Sequence, residues 1–206
     1  MALTRREFLS VAASATLPFP HSVDRRAWLV RTAPEARESV LGFRNALPLE
    51  REASGQATLF VFPGIVDVSN VSQDIRTHLQ GGATVVVETG VGFAGPAERD
   101  LHRRSLRAGL GINLHAPLDL WSGRTRGGVP YIEYEWPTRA SVRDFSRVVP
   151  VADQPGEVIG WAGNIPVALK RRVGKGTLIY LGSPLGPALW AGDLQARRWL
   201  QRVFAS

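Results

Sequence analysis

Cysteine is absent from this chain of 206 residues. That absence excludes disulfide bonds, thiol nucleophiles and thiolate metal ligands, so a folded domain has to be held by its hydrophobic core alone. No stretch of 18 consecutive apolar residues occurs either, and we therefore expect no internal membrane span. Lysine occurs only at Lys170 and Lys175, so the formal net charge of +7 comes almost entirely from arginine.

The arginines are scattered along the chain and do not alternate with aromatic residues, as they would in a base-stacking surface. We therefore expect a solvated basic surface and no nucleic-acid partner. The apolar fraction of 44% and the charged fraction of 21% are typical of a globular protein with one substantial core.

Two adjacent arginines stand near the start of the sequence, where residues 4–9 read TRREFL and a weakly apolar segment follows. This stretch resembles a twin-arginine (Tat) export signal: Arg5, Arg6, Phe8 and Leu9 match its pattern, and Ser10 replaces the usual lysine. The resemblance implies a signal peptide over residues 1–24, passage of the folded protein through the Tat translocase, and a periplasmic or cell-envelope location. An ordinary amphipathic N-terminal helix is the alternative, and the cleavage site stays open.

Hydrophobic patterns predict a single α/β domain over residues 25–206. Unbroken apolar runs are typical of strands covered on both faces, and helical periodicity lies between them. The predicted strands cover 27–32, 58–62, 83–88, 129–136, 166–173 and 177–181. The predicted helices cover 35–43, 71–79 and 96–110, and a closing helix follows the cap Gly192-Asp193 and runs to about residue 204. We expect three layers, a mostly parallel sheet and a C-terminal β-hairpin plus helix.

Three stretches of the sequence together resemble a known family. Residues 59–64 read LFVFPG, residues 79–90 read LQGGATVVVETG, and residues 172–186 read RVGKGTLIYLGSPLG. They are similar to class I glutamine-amidotransferase-like domains of flavodoxin-like fold. The last stretch looks like the closing hairpin of members without amidotransferase activity, among them trehalose-utilisation-type domains and the trimerisation domains of some β-galactosidases.

The resemblance also implies where a reaction would be located. Enzymatic members carry a nucleophilic cysteine in the turn after the second strand, with a histidine and a glutamate supplied later in the chain. Here cysteine is missing and no histidine follows His115. Glutamine amidotransferase activity is therefore excluded, and whether the chain is an enzyme of another class stays open.

Polar residues and glycines follow the two strands at 58–62 and 83–88. Because the carboxyl ends of parallel strands meet at one edge of a sheet, we expect these residues to lie together. They are Gly64, Asp67, Glu88, Thr89 and Gly90. We predict that they bind a ligand through a sugar hydroxyl, a metal or a peptide. The alternative is that Asp67 and Glu88 only cap turns.

Other patterns favour structural roles. His102 and His115 lie 13 residues apart, which is poor spacing for a metal pair. The sequence GKGT at 174–177 lacks the spacing of a phosphate-binding loop and favours a hairpin turn. The tryptophans at 121, 136, 161 and 190 fill a core or, alternatively, stack on sugars. We predict no metal and no cofactor.

Together these patterns predict an exported, non-catalytic ligand-binding or interaction module of the bacterial cell envelope. Its partner would be a small molecule, a glycan or an envelope protein. The alternative is a hydrolase acting on carbohydrate or cell-wall material, with Asp67 and Glu88 as an acid–base pair that converges in a cleft. A polyanion-binding protein, with its arginines gathered on one face, is a third hypothesis.

Overall fold

The computed structural model describes residues 26–29, 37–47, 57–92, 94–122, 128–152 and 156–206. The strands are β1 Arg26–Leu29, β2 Ala57–Ile65, β3 Thr84–Thr89, β4 Tyr131–Tyr134, β5 Ala140–Arg143, β6 Glu157–Ala162, β7 Ile165–Val173 and β8 Gly176–Leu181. The helices are α1 Arg37–Ala46, α2 Ser72–Gln80, α3 Pro96–Leu110, α4 Gly186–Trp190 and α5 Leu194–Ala205. The predicted export signal, with Arg5, Arg6, Phe8 and Leu9, lies outside the described residues.

The strands form one sheet in the order β1-β2-β3-β8-β7-β6-β4-β5. Strands β1, β2, β3 and β8 run parallel, whereas β7, β6, β4 and β5 add to them by antiparallel pairing. The predicted mostly parallel, flavodoxin-like sheet is therefore wrong. The sheet is mixed because the β7–β8 hairpin reverses the chain direction. A second tight turn, with Gly163 at a φ of 64°, then pairs β6 with β7.

Two hydrophobic clusters cover the two faces of the parallel half. Alternate residues of β3 contribute to each, with Val86 in the cluster under α1, α4 and α5 and Val85 and Val87 in the cluster under α2 and α3. The unbroken apolar run of β3 is thus buried on both sides, as its composition predicts. This strand separates two environments at the same edge of the sheet.

Helix α1 and helix α4 approach each other through glycine. A Cβ added to Gly42 would lie 2.1 Å from the carbonyl oxygen of Gly186, so only glycine permits this contact. Helix α5 begins where it was predicted to begin: the Asp193 side chain accepts hydrogen bonds from the backbone N–H groups of Gln195 and Ala196. In the described part of the chain, no helix has the length and apolarity that crossing a membrane requires.

Candidate functional site

The carboxyl ends of β2 and β3 lie side by side. Ile65 pairs with Thr89, and the N–H of Gly90 donates to the carbonyl of Ile65 at 2.7 Å. A Cβ on Gly90 would lie 2.2 Å from the carbonyl oxygen of Gly64. Gly64 and Gly90, both predicted site residues, therefore bring the backbones at the ends of β2 and β3 into contact. This contact fixes the edge of the sheet that carries the neighbouring polar residues.

Glu88 is fully buried on the face covered by α1 and α4. The hydroxyl of Ser39 donates to its Oε1, and the N–H of Gly186 donates to its Oε2 at 3.2 Å. Burial raises the pKa of Glu88 to about 8, although these hydrogen bonds act in the opposite direction. The carboxyl is therefore protonated at neutral pH and joins strand β3 to two helices.

Asp67 follows β2 and interacts with the other face. Its Oδ1 accepts the N–H of Ser69 at 2.9 Å. Burial tends to raise the pKa of Asp67, but hydrogen bonds from Ser69 and Ser105 outweigh it and hold the pKa below its usual value. Because Ser105 belongs to α3, Asp67 and Glu88 have partners on opposite faces of the sheet. The predicted acid–base pair does not converge.

Thr89, the next residue after Glu88, points toward α3. Its hydroxyl lies 3.1 Å from Nε2 of His102, whose Nδ1 lies 2.9 Å from the carbonyl oxygen of Val66. A carbonyl only accepts, so Nδ1 carries the proton, Nε2 is the acceptor, and the Thr89 hydroxyl donates. The hydroxyl of Tyr180 lies 3.4 Å from the same Nε2. Burial lowers the pKa of His102 to about 4, so the ring is neutral.

A cavity of about 230 Å³ lies next to this network. We call it the α3 cavity. Its wall includes Val91 just beyond β3 and the first two turns of α3, so it is located at the carboxyl edge of the parallel strands. That edge is where open α/β sheets bind ligands. The chargeable residues that line it are Arg99, Asp100, His102, Arg103 and His115, beside an apolar wall.

The α3 cavity brings together His102 and His115, which sequence spacing did not favour as a pair. His102 is buried and hydrogen-bonded, whereas His115 is exposed. Among the described residues, no group of three or more His, Asp or Glu side chains is arranged to hold a metal. Arg103 and Asp100 form an exposed ion pair at 3.4 Å. Donors and acceptors thus line the cavity, and no buried nucleophile is among its described lining residues.

The remaining predicted positions have structural surroundings. Gly174 and Lys175 form the turn between β7 and β8, with Gly174 at a φ of 60°, so the sequence at 174–177 contains the predicted hairpin turn. Ser183 is buried, and its hydroxyl donates to the Asp144 carboxyl at 2.8 Å, an interaction that no local sequence pattern predicts. Of the four tryptophans considered for sugar stacking, Trp136 and Trp161 are partly buried, but Trp121 and Trp190 are exposed and do not fill a core.

No protein-family model matches this chain, and no curated protein matches it in sequence. Solved structures match it in fold. Gan42B, a GH42 β-galactosidase from G. stearothermophilus, matches 89% of the chain with a TM-score of 0.59 and 15% identity. The exo-β-1,4-mannosidase Op5Man5 from Opitutaceae bacterium strain TAV5 matches 86% with a TM-score of 0.56 and 9% identity. Cytoplasmic protein STM1381 from Salmonella typhimurium LT2 matches 88% with a TM-score of 0.56 and 9% identity.

These likenesses show a shared fold. The chain spans only 30% of the length of Gan42B and 36% of that of Op5Man5, but it covers 98% of the Salmonella protein. The fold thus occurs both as a part of glycoside hydrolases and as almost an entire chain. It replaces the amidotransferase-like, flavodoxin-like class that the sequence predicted.

Proposed function

We propose that this chain binds carbohydrate in the α3 cavity. The observation that carries the proposal is the cavity itself, which lies at the carboxyl edge of the parallel strands and is lined by guanidinium, carboxylate and imidazole groups. Arginine donates hydrogen bonds, aspartate accepts them, and histidine does both, so the set can recognise several hydroxyl groups at once. The fold shared with parts of a β-galactosidase and a mannosidase supports carbohydrate as the ligand class.

Calorimetric titration with galactose, mannose, galacturonate and short oligosaccharides tests this proposal. We expect at least one saccharide to bind, and Arg99→Ala to weaken its binding about 10-fold, the effect of losing one good hydrogen-bonded contact. Arg104→Ala is the matched control, because Arg104 is an exposed arginine of the same helix that does not line the cavity. Absence of binding, or an equal loss in both variants, would contradict the proposal.

Hydrolysis of carbohydrate is the second candidate function. The β-galactosidase and mannosidase likenesses favour it, and Glu88 carries the proton that a glycosidase acid must donate. However, Glu88 is fully buried and Asp67 lies on the other face. Release of nitrophenol from aryl glycosides by the native chain, and its loss in Glu88→Gln, would favour hydrolysis over binding alone.

We also propose export through the Tat translocase to the periplasm or cell envelope, on the strength of the motif at residues 4–9. In a bacterium with a Tat pathway, the full chain should appear in the periplasmic fraction. Replacing Arg5 and Arg6 by lysine should retain it in the cytoplasm, whereas the same exchange at Arg103 and Arg104 should not. Equal fractionation of all three chains would contradict export by this signal.

A further inference from the structure

A second cavity lies at the opposite end of α3. It has a volume of about 290 Å³ and is located between the last turn of α3, helix α2, the end of β7 and the start of β8. We call it the arginine cavity, because Arg76, Arg107 and Arg171 line it. Since β7 runs antiparallel to β8, the cavity is at the amino edge of the parallel strands, far from the proposed saccharide site.

The three arginines come from three different elements, α2, α3 and β7. Two of them cap the end of α3: Arg76 donates to the carbonyl of Gly109 at 2.8 Å, and Arg171 donates to the carbonyl of Leu110. Each of these bonds uses one of the five N–H groups of a guanidinium. Capping therefore accounts for only part of the hydrogen-bonding capacity that surrounds the cavity.

No acidic side chain in the described part of the chain compensates the positive charge of the three arginines around the cavity. No aspartate or glutamate lines it, and none of the three arginines has an ion-pair partner among the described residues. In addition, the Nε–H of Arg171 is buried and finds no acceptor among those residues. A buried donor without an acceptor is destabilising, and burial lowers the pKa of Arg171.

We infer that the arginine cavity binds an oxyanion, either free phosphate or sulfate or the phosphate or sulfate group of a larger molecule. Such an anion supplies several acceptor oxygens for the N–H groups that capping leaves free, and it offsets the positive charge of the three arginines that line the cavity. Arginine is the side chain best suited to this task, because its planar fork binds tetrahedral oxyanions through paired hydrogen bonds. The inference concerns a different site from the saccharide proposal and does not depend on it.

Titration of the full chain with sodium phosphate and sodium sulfate, at constant ionic strength maintained with sodium chloride, tests the inference. We expect saturable binding, and a rise in melting temperature that follows the fraction of chain bound. Arg107→Gln should weaken binding about 10-fold or more, because Arg107 lines the cavity without capping α3. Arg107→Lys keeps the charge but loses the fork, and should give an intermediate affinity.

Two controls separate this site from general salt effects. Phosphate and sulfate stabilise many proteins by exclusion from their surface, an effect that Arg107→Gln should retain. Arg104→Gln and Arg99→Gln remove an arginine from the same helix outside the arginine cavity, and both should bind phosphate within about twofold of the native chain. Equal responses of the native chain and Arg107→Gln, or a larger loss in Arg99→Gln, would overturn the inference.

Discussion

Glu88 and Thr89 are neighbours in sequence, yet the alternation of strand β3 places them on opposite faces of the sheet. Glu88 lies under α1 and α4, where Ser39 and Gly186 hold its two oxygens. Thr89 lies under α3, where its hydroxyl contacts His102 beside an open cavity. Both faces bury a titratable group in its neutral form, one an acid and the other a base.

The difference between the faces is access. On the Glu88 face, glycine at 42 and 186 lets two helices close over the carboxyl. On the Thr89 face, the α3 cavity lies at the same edge of the sheet, and its wall includes His102. A buried polar group at the carboxyl edge of a parallel strand is therefore not by itself a ligand site. The covering helices decide whether such a group is enclosed between helices or lies next to a cavity.

The largest effect should come from opening the closed face. In Gly186→Ala the new Cβ would lie 2.2 Å from the Cα of Ser39, so α1 and α4 must separate next to Glu88. We expect a loss of about 3 kcal/mol in the free energy of unfolding, at the upper end for overpacking. Urea denaturation measures it. Gly95→Ala at the start of α3 is the control: its Cβ would meet its nearest neighbour at 3.7 Å, and the change should stay within about 0.5 kcal/mol. Similar stabilities of the two variants would show that the faces do not differ in packing.

Removing the carboxyl of Glu88 should have the next largest effect. Glu88→Ala leaves a cavity and deprives the Ser39 hydroxyl and the Gly186 N–H of their acceptor, so we expect a loss of about 2 kcal/mol. Glu88→Gln is the neutral isostere: its amide oxygen can accept from Gly186, and its amide N–H can donate to the oxygen of Ser39, whose hydroxyl then becomes the acceptor in this pair. The loss should then be below about 1 kcal/mol in urea denaturation at neutral pH. A large loss in Glu88→Gln would mean that the carboxyl is ionised.

Local sequence patterns predict the strand and helix of this region, but they do not predict which helix covers each face of the sheet. Helix α3 was predicted at 96–110, where the structure has it, because Pro96 can open it and Leu106 and Leu110 give it an apolar side. The period of two in β3 also implies that Glu88 and Thr89 diverge. Which helix covers each face depends on contacts such as the bond between His102 and Val66, 36 residues apart, and no local pattern encodes them.

In the antiparallel half, β4 and β7 were predicted as strands, but β5 and β6 were missed for a similar reason. Strand β5 has only four residues, and β6 contains Gly160 in its middle, so neither has the apolar run of a buried strand. The sequence Gly163-Asn164 does carry a hairpin signal, and Gly163 has the positive φ that such a turn requires. That dipeptide could have revealed the antiparallel pairing of β6 with β7.

The faces should also respond to pH with opposite signs. The pKa of Glu88 is raised from 4.5 to about 8, so the folded state holds its proton where the unfolded state has lost it. Its contribution to stability therefore falls as pH rises from about 4.5 to about 8. The pKa of His102 is lowered from 6.5 to about 4, so its contribution falls as pH drops through that range. Each dependence has a limiting slope of about 1.4 kcal/mol per pH unit.

Unfolding free energies at several pH values separate the two contributions. The stability of the native chain relative to Glu88→Gln should decline from about pH 5 to pH 8. Its stability relative to His102→Gln should decline from about pH 6.5 to pH 4. Asp144, whose pKa burial raises to about 6, adds a dependence of the same sign as Glu88, but it is common to all three chains. If both differences changed in the same direction with pH, the two faces would not bury a neutral acid and a neutral base.

The smallest effect should come from the hydroxyl on the open face. Thr89→Val keeps the shape of the side chain but removes the donor that lies 3.1 Å from His102. The imidazole keeps its bond to Val66, and Tyr180 at 3.4 Å remains near the vacated nitrogen, so the loss should be about 1 kcal/mol. The His102 pKa, followed by NMR titration, should stay below 6.5, because burial and not Thr89 lowers it. A return of the His102 pKa to about 6.5 would mean that the Thr89 face opens to water once this hydrogen bond is lost. The two faces would then differ in solvent access by more than their geometry in the native chain indicates.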